Sequence, residues 1–140
     1  MADIVVTAAR VAAIHPQRAV IYDFEAAEAI TAGQAVYQLT TGKVGVADAN
    51  AAGKQQFRGI ALNAAAAGGG VSVLKSGYIW GFAVSAMNGD ALVYLSDTAG
   101  ALGDAAGTMS VAVGRVVGIP EVGGPAKALH IDADWLRAWS

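Results

Sequence analysis

The chain writes one phrase twice: GQAVYQLTTGKVGVADA begins at Gly33, and GDALVYLSDTAGALGDA begins at Gly89. Each copy opens on a glycine turn, runs through an apolar strand (35–39; 91–95) and crosses a polar turn, TTGK or SDTAG. Each then comes back through a glycine-marked strand, FRGIAL or VGRVVGI. A strand-turn-strand unit cannot bury its apolar face alone, and a solenoid of such units needs about three or more copies. Two copies in 140 residues therefore predict one small, mostly β domain with little helix, a β-barrel or β-sandwich built on duplicated strand-turn-strand units.

The remaining punctuation agrees. The 18 glycines fall mostly between short runs rich in Val, Ile, Tyr and Leu, which predicts many short strands joined by tight turns. Candidate strands span 4–7, 19–24, 35–39, 57–62, 71–75, 78–84, 91–95, 109–118 and 128–132. Ser76-Gly77 and Asn88-Gly89 supply residues that tolerate positive φ, as hairpin turns require. Two short segments have helical character: DFEAAEAI at 23–30, made of good helix formers, and DADWLRAW, capped from Asp132 or Asp134. The chain divides into residues 1–18, an N-terminal arm or edge strand, and residues 19–140, the β-rich body.

Composition bears on the surface. Charged residues make up 14% of the chain against about 25% in an average soluble domain. Hydrophobic residues make up 55%. Such a balance leaves too little charge to cover a monomer and points to apolar surface used as an interface. It does not point to a membrane span, which needs about 20 consecutive apolar residues. The longest uncharged stretch, 59–74, is broken by Asn63 and by three consecutive glycines at 68–70. Asp3 stands where a secretory signal carries basic residues, so the chain reads as cytosolic in origin, made in the host cytoplasm. Without cysteine there are neither disulfides nor thiolate metal sites, and a net charge of −2 offers no sequence-independent grip on nucleic acid.

Catalytic constellations fail on spacing. Gly53-Lys54 is followed by Gln55, without the Gly spacing and hydroxyl of a phosphate-binding loop. The glycines at 68–70 precede a strand, VSVLK, not the helix a dinucleotide site needs. No Ser occupies a GxSxG elbow, and His15 before Pro16 has no identified catalytic partner. In HIDAD, a period of two sets His130, Asp132 and Asp134 on one face, a possible donor set for a divalent ion. Any half-buried strand shows the same alternation, so the expectation is no metal, no cofactor and no enzyme. Among the aromatics, Tyr78, Trp80 and Phe82 alternate along one strand and face one side, either the core or a subunit interface. Trp135 and Trp139 stand four apart around Leu136, as one apolar face packing on the domain itself or on a neighbour.

The stretch AITAGQAVYQLTTGKVGVADA, then FRGIALNAAAAGGGVSVLKSGYIWGF, then NGDALVYLSDTAGAL and VGRVVGI, resembles the capsid decoration, or cement, proteins of tailed bacteriophages. The likeness covers residues 29–120 and rests on structural phrases. It implies a homotrimer on the outer capsid surface of the virion at threefold and quasi-threefold positions, bound to the major capsid protein and stabilising the shell. It also implies an N-terminal arm reaching onto the capsid protein. Ala2, Asp3, Ile4, Val5, Val6 and Thr7 suit that arm: their β-branched run stands ahead of the first clear hairpin, so it either offers itself for β-augmentation or pairs inside its own sheet. A carbohydrate- or receptor-binding β module displayed on the virion is the alternative. Sugar binding generally wants exposed aromatics beside clustered Asp, Asn or Gln, and the Trp80 stretch meets none before Asn88 and Asp90.

Overall fold

A computed structural model describes residues 2–120 and 126–139. Among these residues the regular structure is ten strands: β1 (Ala12–Ile14), β2 (Val20–Glu25), β3 (Ala35–Gln38), β4 (Val44–Val46), β5 (Phe57–Ala61), β6 (Gly70–Trp80), β7 (Leu92–Leu95), β8 (Leu102–Gly103), β9 (Ala112–Ile119) and β10 (Ala126–Asp132). Helix is confined to two 3₁₀ turns, Ala8–Arg10 and Pro16–Arg18. The strands hydrogen-bond in the order β4-β3-β5-β6-β10-β9-β7-β8, with β1 and β2 also on β6, and the sheet curls into a half-barrel.

The repeated phrase folds twice into the same device. β3 and β4 form one hairpin and β5 returns beside β3; β7 and β8 form the other and β9 returns beside β7. The registers agree residue by residue. Tyr37 faces Gly45 as Tyr94 faces Gly103, and Val36 faces Gly59 as Val93 faces Gly114. The register shifts at the same place, between Val36 and Tyr37 and between Val93 and Tyr94. Gly59 and Gly114 have a common reason to be glycine. A β-carbon at the first would collide with the carbonyl oxygen of Leu74, and one at the second with that of His130.

β6 joins the two devices. Leu74 faces Ile21 of β2 and Ile60 of β5, so those strands flank opposite edges of β6. Ser76 faces Val20 and Asp132, and Tyr78 faces Ile14 and His130, so β1 and β2 follow one another along one edge while β5 and β10 share the other. One wing is therefore β4-β3-β5 with the first part of β6 and β2. The second is β8-β7-β9-β10 with the last part of β6 and β1. A register shift between Val20 and Ile21 and the positive φ of Gly77, 144°, mark the corner where a strand passes from one wing to the other.

The main core lies between the wings. Phe57, Ile60 and Leu74 of the first meet Ile79, Val93, Leu95, Val116, Leu129 and Ile131 of the second, all buried. A second cluster (Val36, Val44, Ala61, Val71, Val73) fills the opposite face of the first wing beneath Ala26 and Ile30.

Several expectations are corrected. Ser76-Gly77 is not a hairpin turn but the middle of β6, because the chain keeps pairing on both sides of the corner. The other turn forms, with Ala91 N–H bonded to the Asn88 carbonyl, but positive φ falls on Asp90. The segment 23–30 is not helical. Its first residues extend β2 along β6, and Ala26 and Ile30 are drawn into the second cluster, so tertiary pairing overrides a weak propensity. The C-terminal segment is not helical either: Asp134 Oδ1 accepts from the N–H groups of Leu136 and Arg137, each at 3.2 Å, but no helix follows.

Candidate binding surfaces

In an antiparallel sheet, residues directly opposite one another share a face. Registers across the second wing therefore lay Ile14, Tyr78, His130, Arg115 and Leu92 in one row over β1, β6, β10, β9 and β7. Their neighbours Ile79, Leu129, Val116 and Val93 point to the core, so the row lies on the outer face. Trp80, two residues beyond Tyr78, joins it and is 40% exposed. Tyr78 meets the His130 ring edge-on with centroids 5.3 Å apart. Arg115 Nη1 donates to the Asp90 carbonyl at 2.8 Å and lies 3.7 Å from its carboxylate, at the solvent margin. None of the row residues belongs to either buried cluster.

Tyr78 and Trp80 thus share a face, as alternation predicts, but Phe82 does not continue it. Gly81, at φ 108°, turns the chain, and Phe82 packs against the main core. Trp80 and Phe82 still meet at a groove of about 640 Å³ whose polar lining includes Thr7, Arg10, Ser85 and Lys127. Lys127 is held there by the Met87 carbonyl at 2.6 Å.

The N-terminal segment is seated on its own domain, so of the two readings of Ala2–Thr7 it is pairing within the domain that the contacts form. Asp3 bridges to Gly103 and its carboxylate accepts from the Ser96 hydroxyl. Ile4 N–H bonds the Leu102 carbonyl at 2.8 Å, and its side chain is in the main core. Val6 bridges to Phe82, while Val5 stays 69% exposed. The unused edge is elsewhere: among the described residues no strand pairs with the side of β2 away from β6, and Val20, Ile21 and Tyr22 on it are exposed.

The C-terminal aromatics fold back on the domain. Trp135 lies between Tyr22, 5.0 Å centroid to centroid, and the Arg58 guanidinium, 4.7 Å from the ring. Its indole N–H donates to the Arg58 carbonyl at 2.8 Å. Trp139 packs on the main core, tied down by Gln55 and Gln56. Leu136 between them faces solvent, 97% exposed.

HIDAD is divided. His130 lines a recess beside Tyr78, whereas Asp132 and Asp134 line another with Trp135 and Leu136. Among the described residues no group of three or more His, Asp or Glu is placed to hold a metal ion. Alternation in the sequence announced Tyr78 and Trp80. The positions of Leu92 and Ile14 on the same face depend on strand order and had no local signal. Compared with protein-family models, with curated proteins and with solved structures, the chain matches none.

Proposed function

We propose that this chain is a structural virion protein that binds the outer surface of a tailed-phage capsid as a trimer and stabilises the shell. The observation that carries the reading is the outer face of the second wing, where Trp80 and Leu92 are 40% and 36% exposed in a chain with 14% charged residues. An aromatic anchor on a rigid, weakly charged sheet is what a buried protein–protein contact requires. The partners are the major capsid protein and two further copies of this chain. The exposed edge of β2 supplies main-chain donors and acceptors for β-augmentation, a role that residues 2–7, bonded to their own domain, do not fill. Co-sedimentation with expanded, empty capsids assembled from the accompanying major capsid protein tests the reading. Saturable binding in multiples of three copies supports it; no binding to those capsids overturns it.

The Trp80 groove favours a second reading, a carbohydrate-binding module, since an exposed indole beside Thr7, Ser85 and Lys127 suits a sugar ring. Glycan-array binding lost in Trp80→Ala would support it against the first.

A further inference from the structure

The protein has two histidines, far apart in sequence, and both line one recess of about 250 Å³. His130 arrives on β10 and His15 from the turn between β1 and β2. Arg18, Ser76 and Tyr78 complete the polar lining, and Ile14 forms an apolar wall. The lining thus has a permanent cation, two imidazoles and two hydroxyls, but no carboxylate. Among the described residues the ion pairs are Lys43–Glu25 and Arg115–Asp90, so Arg18 has no carboxylate partner. Asp132, across from Ser76, lines the adjoining recess instead.

The backbone at this point is strained. His15 has φ 53° and ψ 64°, left-handed, immediately before Pro16. Both circumstances disfavour that conformation for a residue with a side chain. A turn of the same length with glycine at 15 would avoid the strain, whereas this turn brings an imidazole and a guanidinium to the mouth of one recess. Strain kept at a cluster of polar groups is a mark of a ligand site.

We infer that this recess binds a tetrahedral oxyanion, the phosphate group of a small solute. Arg18 supplies the charged fork, and the imidazoles and the hydroxyls of Ser76 and Tyr78 line the same recess as further donors, enough to engage several oxygens of a phosphate. The recess opens on the outer face of the second wing, and three members of its row, Ile14, Tyr78 and His130, line it.

The test follows the ring proton resonances of both histidines by NMR while inorganic phosphate, glycerol phosphate or, at matched ionic strength, sodium chloride is added to the full chain at constant pH. Saturable shifts of both rings with phosphate, absent with chloride, are expected. At least tenfold weaker binding is expected in Arg18→Gln, with partial recovery in Arg18→Lys. Arg18 is exposed on a 3₁₀ turn, and an unchanged melting temperature confirms that these variants fold. Glycerol phosphate binding more tightly than phosphate identifies a phosphate ester as the natural ligand; equal affinity identifies the free ion. Shifts that do not saturate, that chloride reproduces, or that survive Arg18→Gln overturn the inference.

Discussion

Gly59 and Gly114 show how a residue without a side chain carries the architecture. Each lies where the backbone of the next strand comes too close for a β-carbon, at equivalent points of the two copies. Gly59→Ala and Gly114→Ala are each expected to cost about 2 kcal/mol or more, since the obstacle is main chain and cannot rotate away. Thermal or urea melts of the two variants check this, and near-equal losses would reflect the shared geometry. Trp80 makes the opposite case. As it is 40% exposed, Trp80→Ala should cost no more than about 1 kcal/mol, against about 3–5 kcal/mol for Phe57→Ala in the main core. Capsid binding by Trp80→Ala should nonetheless fall at least tenfold under the proposed function. A folded variant that binds like wild type would move the contact away from this face.

Strands were the most legible elements in the sequence. β3, β5, β7, β9 and β10 fall within a few residues of the expected runs, because alternation and flanking glycine are local signals. β1, β4 and β8, of three residues or fewer each, carry too little pattern to read and exist through their partners. The Ser76-Gly77 corner misled for a related reason: the glycine marks a bend, and only the partners on either side show that the strand continues. The convergence of His15 and His130, and the row from Ile14 to Leu92, are products of strand order and have no local signature. The N-terminal segment was legible as extended but not as paired. Because Ile4 fills the core and the segment bonds to β8, deleting residues 2–7 is expected to lower stability by about 2–5 kcal/mol, the range for losing a buried Ile. Calorimetry of the truncated chain gives the value, and an unchanged melting temperature would show that these contacts add nothing.

At the scale of the whole molecule the low charge and the open outer face lead to one expectation of assembly. Sedimentation of the purified protein, alone and with capsids, should reveal trimers in at least one condition, since a closed ring buries matching patches on every copy. Monomers in both conditions would contradict this. The two copies of the hairpin device are joined through a strand and not through a linker, and that has a bearing on what the chain can become. A duplicated protein with a loose joint can be cut back into working halves. Here the last part of the joining strand β6, Ser76–Ile79, is the neighbour that β10 requires, its first part pairs with β5, and Leu74 and Leu129 share one interior. Fragments 1–86 and 87–140 should each be unfolded alone by circular dichroism and regain structure only when mixed. The doubling is in that sense one-way: neither half is a spare of the other, because each completes the sheet and the interior of its neighbour.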